Sequence, residues 1–280
     1  MASGSRESGA GYQVRWMRLV PYLGYHHVLM ILLSVSIILL SILLAGCTTP
    51  GLTNVYLLGL SYKPSASHPD PAQVNINLTT SFSQIVSNGS NSPLAEVRVG
   101  YMGICIKESS GLWICSSSAN GLANIVKERR TGGNDDPLNL IWIAKRFKGQ
   151  VIWSGLLFLS IPLGVIVFLC LATFPGWHEE TDGEGSDREV KPFPSRPVSQ
   201  IALAFCVAAS LVSFIAILWQ HIVSSAAGIM GEGLSYGSIS AHVGSVAMVL
   251  GWGGFFVNTI VAIGLLVMIL SIKVLAETFG

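Results

Sequence analysis

Charged side chains are scarce in this sequence: Asp, Glu, Lys and Arg make up 11% of its 280 residues, and the formal net charge is +1. So small and balanced a charge excludes the basic surface with which proteins bind nucleic acid, and no nucleic-acid partner is expected. The chain also lacks a nucleophile elbow, a zinc-protease helix and a phosphate-binding loop. We therefore predict that it is not an enzyme and that it uses no cofactor and no metal.

Apolar residues are abundant: they make up 51% of the chain, and the mean hydropathy of the sequence is +0.59. This composition predicts an integral membrane protein whose first partner is the lipid bilayer. Four uncharged runs reach the ~20 residues that span the hydrocarbon core. They are residues 28–46, 151–174, 198–219 (with helical sequence continuing towards 227) and 243–272. We expect a bundle of four transmembrane helices.

The first run ends at Leu44-Ala-Gly-Cys47, which also matches the cleavage site of a bacterial lipoprotein signal. In that alternative, Cys47 carries a lipid and the preceding helix is removed. However, the run is longer than an ordinary signal core, and three further spans follow it. We therefore favour a first membrane helix with an exit turn, and keep a lipoprotein-like membrane subunit as a competing hypothesis.

Residues 47–150 form a long polar segment, and alternation of apolar and polar residues in it predicts β-structure. Four strands are expected, at residues 53–62, 74–82, 97–102 and 113–117. They are enough for a small antiparallel sheet with one buried face. A short helix, capped by Asp135 or Asp136 and begun by Pro137, is expected just before the second span.

Two of the five cysteines, Cys105 and Cys115, fall on the two sides of the last predicted hairpin. On opposing strands they can meet at disulfide distance, and Trp113 would pack on the sheet that their bond stabilises. Acceptor sequons begin at Asn77 and Asn88, and predict N-glycosylation if this segment faces the secretory lumen.

The distribution of basic residues predicts the orientation. Lys and Arg occur in the predicted cytosolic tail, loop and stub, which are residues 1–27, 175–197 and 273–280. The connection 220–242 has none, so both termini are predicted to be cytosolic, and the 47–150 domain and this second loop extracellular. Lys145, Arg146 and Lys148 oppose that orientation, but segments longer than ~60 residues translocate largely regardless of charge.

Polar residues at membrane depth are few. No span contains Asp, Glu, Lys or Arg, which argues against a self-contained transporter or pump. Asn258 is the strongest polar candidate, and we predict that it makes an interhelical hydrogen bond. His221, Glu232 and His242 fall near the second loop. Their spacing matches no metal-ligand motif, so they are expected to be solvated loop residues.

The four spans, the long first loop with a cysteine pair and a tryptophan, and the short second loop resemble the claudin-like superfamily. A departure is that Gly111-Leu-Trp113 lies between the two cysteines, whereas in claudins the tripeptide precedes the first. The chain is more similar to the fungal pheromone-induced ("factor-induced gene") family of calcium-influx and membrane-fusion regulators. The residues that carry this resemblance are Leu44–Cys47, Asn54–Tyr62, Gly100–Cys105 and Trp113–Cys115.

The resemblance implies a plasma-membrane protein that supports low-affinity calcium influx and cell fusion during fungal mating. It marks Gly103, Cys105, Trp113 and Cys115 as a structural motif and implies no catalytic residue. A homo-oligomer, or a complex with a calcium channel or the fusion machinery, is the expected assembly. The alternative function is a claudin-like adhesion or scaffold protein with only an indirect effect on calcium.

Overall fold

The computed structural model describes residues 25–63, 76–88, 94–128, 136–174, 178–181, 187–190 and 195–279. Most of the predicted tail 1–27 therefore lies outside the described residues. The helices are α1 (Tyr25–Leu44), α2 (Ile76–Asn88), α3 (Ala119–Glu128), α4 (Leu140–Arg146), α5 (Gly155–Ala172), α6 (Arg196–Leu234) and α7 (Ser245–Phe279). The strands are β1 (Leu58–Tyr62), β2 (Leu94–Val99), β3 (Ile104–Glu108), β4 (Trp113–Ser116), β5 (His178–Thr181), β6 (Asp187–Val190) and β7 (Ile239–Val243).

Within the described part of the chain, four helices are long and apolar enough to cross a membrane: α1, α5, α6 and α7. Both α1 and α6 pack against α5 and α7, so the four helices form a bundle. On α6 the small residues Ala202, Cys206, Ala209 and Ser213 are buried at helical spacing, which allows the neighbouring backbones to approach closely. The predicted class, a bundle of four apolar helices with an antiparallel sheet, is confirmed.

Helix α6 extends far beyond its predicted span. It runs to Leu234, so the first part of the expected loop 220–242 is helical, and the chain turns only at residues 235–237. Ser224 and Gly228 are buried at helical spacing there, because this stretch packs against the sheet. Its 39 residues extend about 58 Å, roughly twice the thickness of the hydrocarbon core. The expected stub at 273–280 likewise continues α7 as far as Phe279.

The main sheet is antiparallel throughout, with strand order β4-β3-β2-β1-β7. The strand predicted at 74–82 is wrong: helix α2 begins at Ile76. The apolar spacing there continues as a helical stripe, in which Thr79 and Val86 are buried while Leu78 is exposed. The ring of Phe82 packs against that of Tyr236, with centroids 5.6 Å apart.

The strand predicted over 97–102 ends at Val99, as the last part of β2, and residues 100–102 already belong to a turn. This tight turn at Gly100–Gly103, here called the glycine turn, joins β2 to β3. The N–H of Gly100 donates to the carbonyl of Gly103 at 2.9 Å, which closes the turn. Strand β7, from the expected second loop, completes the sheet by pairing with β1.

The two faces of the sheet differ in character. Leu60, Val97 and Ile106 are buried on one face, where helices α3, α4 and α6 cover the sheet. The other face carries polar side chains, among them Glu96 and Arg98. This alternation is what a sheet with one buried face requires.

Asp136 organises the start of α4. Its carboxylate accepts hydrogen bonds from the N–H groups of Leu140 and Ile141, at 2.8 and 2.9 Å, and from the Tyr62 hydroxyl. Pro137 precedes the helix and is not its first residue, and Asp135 lies outside the described residues. In the connection 175–197, expected to be a loop, the strands β5 and β6 pair with each other.

Candidate functional site: the polar sheet face and its link to the helices

The glycine turn lies directly on the end of helix α1. A Cβ atom added to Gly103 would be 1.8 Å from the carbonyl oxygen of Cys47, and one added to Gly100 would be 2.3 Å from that of Gly46. No side chain fits at either position, so glycine is required where two backbone segments touch. The structure thus brings together residues 44–47 and 100–105, two stretches on which the family resemblance rests.

Cys47 is fully buried under the glycine turn. Its backbone is left-handed, with φ at 58°, and its Sγ donates to the carbonyl of Val55 at 3.5 Å. Burial raises the pKa of this thiol from 9.0 to about 12, although the Arg98 charge opposes the shift. A buried Sγ beneath a packed turn has no space for an attached lipid, so the lipoprotein alternative does not fit this arrangement.

The disulfide lies on the polar face of the sheet. Cys105 on β3 and Cys115 on β4 are register partners, and their sulfurs are bonded. The sulfur of Cys105 is also 3.4 Å from the carbonyl oxygen of Cys47. The bond therefore joins the edge strand to the strand that rests on the end of α1.

Five side chains form a stacked group on this face, here called the Arg98 cluster: Tyr56, Glu96, Arg98, Trp113 and His242. The Arg98 guanidinium lies between two rings, 4.4 Å from the Trp113 centroid and 4.6 Å from that of Tyr56. Its Nε donates to Glu96 Oε1 at 2.6 Å, and His242 Nε2 lies 3.3 Å from the same oxygen. The side chain of His242 is 40% exposed, whereas those of Arg98 and Glu96 are 17% and 13% exposed.

Neighbouring residues fix the geometry of the Arg98 cluster. Arg98 also donates to the carbonyl oxygen of Thr53 and to Asn54 Oδ1, both at 3.1 Å. A Cβ on Gly59 would be 2.6 Å from His242 Nε2, so only glycine lets that ring lie flat on the sheet. The Arg98 cluster is therefore an ordered surface in which two aromatic rings enclose an ion-paired guanidinium.

A hydrogen-bonded link joins the glycine turn to the membrane helices. The hydroxyl of Tyr101 donates to Gln220 Oε1 on α6 at 2.9 Å, and Gln220 Nε2 donates to the carbonyl of Ala247 on α7 at 3.4 Å. Tyr101 is 5% exposed, and this burial raises the pKa of its phenol. The sheet and the α6–α7 pair are therefore connected through buried polar groups, which are costly to leave unpaired.

The three basic residues next to the second span take part in local contacts. Lys148 donates to the carbonyls of Met102 and Ser117, at 2.5 and 3.1 Å. Lys145 lies 4.6 Å from the Trp142 ring centroid and donates to an amide oxygen, while Arg146 lies 5.7 Å from the same centroid. These contacts give the three basic residues a structural role at the end of the second span that adjoins the sheet.

The other predicted site residues are dispersed. Asn77 is exposed on α2, and Asn88 ends that helix. Asn258 on α7 is 2% exposed and lies at the contact with α6, where the thiol of Cys206 is 3.9 Å from its carbonyl oxygen and 4.0 Å from its Oδ1.

The three residues near the second loop do not meet. His221 lies near the Trp252 ring, with centroids 6.4 Å apart, while His242 belongs to the Arg98 cluster. Glu232 accepts a hydrogen bond from the N–H of Ala241 at 3.1 Å and is 3.8 Å from Lys63. In the described ranges, no group of three His, Cys, Asp or Glu side chains is close enough to hold a metal ion.

Sequence reasoning did not identify Tyr56, Arg98 or Gln220 as functional candidates, and it expected His242, which lies on β7, to be a solvated loop residue. One usable signal was Gly59, because a glycine inside a strand indicates that another group approaches the backbone closely. A second was Gln220, a lone amide directly after an apolar run.

No curated protein matches this chain significantly. The family model described as "Ca2+ regulator and membrane fusion protein Fig1" matches residues 79–271. The match includes the glycine turn, the disulfide, Gln220 and the last three apolar helices, but begins after Leu44–Cys47 and Asn54–Tyr62. Because it covers more than half of the chain, the chain belongs to the Fig1 family of Ca2+ regulators and membrane fusion proteins.

Proposed function

We propose that this protein regulates low-affinity calcium influx and cell fusion during fungal mating, from the plasma membrane. Both termini are cytosolic in this proposal, the sheet is extracellular, and the arrangement is claudin-like. The observation that carries it is the link from Tyr101 through Gln220 to Ala247, which joins the sheet to the α6–α7 pair. The description of the family, Ca2+ regulator and membrane fusion protein, supplies the two processes.

The polar groups inside the bundle support a regulator over a self-contained pore. Ser36 on α1 donates to the carbonyl of Gly254 at 2.8 Å, and Ser160 on α5 donates to that of Ala209 at 3.3 Å. These hydroxyls are used to hold helices together. No span contains an ionisable Asp, Glu, Lys or Arg, the residues that ordinarily mark an ion path.

The extracellular orientation of the sheet is supported by the disulfide and by the basic residues. A bond between Cys105 and Cys115 persists in an oxidising compartment. Lys145, Arg146 and Lys148 have local partners that account for basic residues on this side of the second span.

In the proposed mechanism, another protein or a component of the cell wall binds the exposed side of the Arg98 cluster. Strand β7 carries His242, pairs with β1 and connects α6 to α7. A partner that binds one arrangement of β7 and the α6–α7 pair better than another shifts the helix pair towards that arrangement. The helix pair then acts on a channel or on the fusion machinery in the same membrane.

The functional test is Tyr101→Phe in pheromone-treated cells that lack the native protein. The change leaves the Gln220 carbonyl oxygen without its donor, at a cost of about 1–3 kcal/mol, so we expect normal surface amounts with reduced calcium uptake and fusion. The matched control is Tyr25→Phe, which removes a hydroxyl that donates to Gly264 at 3.2 Å away from the sheet. Unchanged uptake and fusion in cells without any copy of the protein would refute the proposal.

Topology has a separate test, the mass of the protein before and after glycosidase treatment. We expect a shift that Asn77→Gln and Asn88→Gln abolish together.

Purified protein in liposomes that passes calcium without a partner would contradict the role of regulator. In cells that lack the protein, loss of adhesion at the fusion site with unchanged calcium uptake would favour the adhesion or scaffold alternative.

A further inference from the structure

The end of helix α6 exposes large apolar side chains. Ile229 and Leu234 are 76% and 73% exposed, the two highest values among the large apolar side chains of the described residues, and Met230 is 62% exposed. These three residues are here called the apolar tip. Exposed apolar groups concentrated in one place on a protein surface indicate a binding site.

The opposite side of this helix end is held against the sheet. A Cβ on Gly231 would be 3.4 Å from that of Ala241, and one on Gly228 would be 3.8 Å from the Val243 side chain. The position of the apolar tip is therefore fixed by contacts between the helix and β7.

The one charged residue at this end of α6 is paired with partners on other elements. Glu232 is the one Asp, Glu, Lys or Arg between residues 220 and 242. Its Oε1 accepts a hydrogen bond from the N–H of Ala241 at 3.1 Å and lies 3.8 Å from Lys63 Nζ. The carboxylate is thus hydrogen-bonded to β7 and paired with a cation, so the charge one helical turn from Ile229 is neutralised.

The apolar tip also lies beyond the bilayer that holds the bundle. Trp219, 51% exposed, is of the type that marks the membrane–water interface. At 1.5 Å per residue, Leu234 is about 22 Å further along the helix axis. The polar layer on each side of the hydrocarbon core is only about 5–8 Å thick, so the host membrane does not cover the apolar tip.

A cavity of about 390 Å³ lies next to the apolar tip, between the apolar face of the sheet, α2, α4 and α6. Its lining is almost entirely apolar and includes Phe82, Leu138, Ile143, Phe147, Met230 and Leu234. A volume of this size is typical of sites that take one small apolar ligand or chain.

We propose that the apolar tip and this cavity bind the acyl chains of an apposed lipid bilayer. The inference rests on the fusion part of the proposed function and on an extracellular sheet. Three largely exposed aliphatic side chains offer roughly 400 Å² of apolar surface, well below the ~800 Å² that each partner of a stable protein–protein interface buries. Lipid requires no complementary surface, and a tip whose one neighbouring carboxylate on α6 is already paired favours a hydrocarbon environment over a polar one.

The test uses the full chain in lipid nanodiscs, mixed with phosphatidylcholine vesicles and separated by flotation. We expect the parent protein to float with the vesicles at both low and high salt, because the proposed contact is made by apolar side chains. Ile229→Ser should weaken association several-fold, and Ser at all three tip positions at least about tenfold. The matched control is Leu112→Ser, which changes a residue that is 53% exposed at the β3–β4 turn of the same sheet.

Unfolding temperatures equal to that of the parent confirm that the variants are folded, because the substituted side chains are exposed. Flotation of the triple variant equal to the parent would overturn the inference. So would pairing of discs through the apolar tip in the absence of vesicles, because the occupant would then be a second copy. In cells, the triple variant should restore calcium uptake but not fusion. A parent protein that restores both but binds no vesicle refutes only this inference, whereas one that restores neither refutes the proposed function.

Discussion

Replacement of Gly103 by alanine tests the contact between the sheet and the first helix. The added Cβ would lie 1.8 Å from the carbonyl oxygen of Cys47, whereas non-bonded carbon and oxygen atoms are normally separated by about 3.3 Å or more. The glycine turn must therefore move by roughly 1.5 Å from the end of α1. That movement disturbs the Tyr101–Gln220 and Lys148–Met102 hydrogen bonds together.

Overpacking of this kind costs about 3 kcal/mol or more, because both colliding groups are backbone and cannot rotate away. On the scale of a domain of 150–250 residues, this lowers the unfolding temperature by roughly 6–12 °C. The assay is thermal unfolding of the purified chain in detergent, followed by tryptophan fluorescence.

The matched control is Gly121→Ala on α3, where the nearest atom to an added Cβ is 3.8 Å away. Alanine there should be neutral or slightly stabilising, since glycine weakens a helix interior. Equal unfolding temperatures for Gly103→Ala and Gly121→Ala would refute the contact on which the link between sheet and bundle depends.

Two further predictions concern cysteines. Cys115→Ser removes the disulfide that joins two cysteines ten residues apart in sequence. The free energy of unfolding should fall by about 2–3 kcal/mol, so delivery of the protein to the cell surface should fall sharply. Normal delivery and function would contradict this. Cys47 should resist iodoacetamide at pH 9 in the folded chain and react after unfolding, as read by mass spectrometry. Burial raises the pKa of the Cys47 thiol from 9.0 to about 12, because the folded protein favours the uncharged form. The stability that this thiol contributes is therefore complete below pH 9 and is lost as the pH rises through about 12. Rapid labelling of the folded protein would contradict its burial.

The apolar helices were predictable because their signal is local and long. Each span needs only a run of uncharged residues of sufficient length, and the four runs correspond to α1, α5, α6 and α7. The Cys105–Cys115 hairpin was predictable for a similar reason, since its residues are adjacent in sequence. Boundaries set by contacts with distant residues were not predictable, as the extension of α6 to Leu234 demonstrates.

The errors in the sheet have a common physical cause. Alternation over residues 97–102 continues through a turn, because Tyr101 points to the helices and not to the face of a strand. Alternation in the segment 76–82 also fits a helix whose buried stripe becomes visible only when Val86 is included. Strand β7 carries a weak local signal and forms because β1 has a free edge beside it.

The Arg98 cluster depends on long-range placement throughout. Tyr56, Trp113 and His242 come from three separate parts of the chain, and no spacing rule connects them. The family resemblance identified Trp113 as structural, and the structure supplies the reason, which is a stack with Arg98.

The position of β7 determines when this protein can finish folding during synthesis. Its partner β1 is made early, yet the ribosome must produce three of the four apolar helices before residues 239–243 appear. Until then β1 presents an unpaired edge, the kind of surface that chaperones bind and that aggregates when left alone. A nascent chain interrupted before residue 239 would contain the Cys105–Cys115 hairpin but no complete sheet, so cellular quality control can distinguish it from the finished protein.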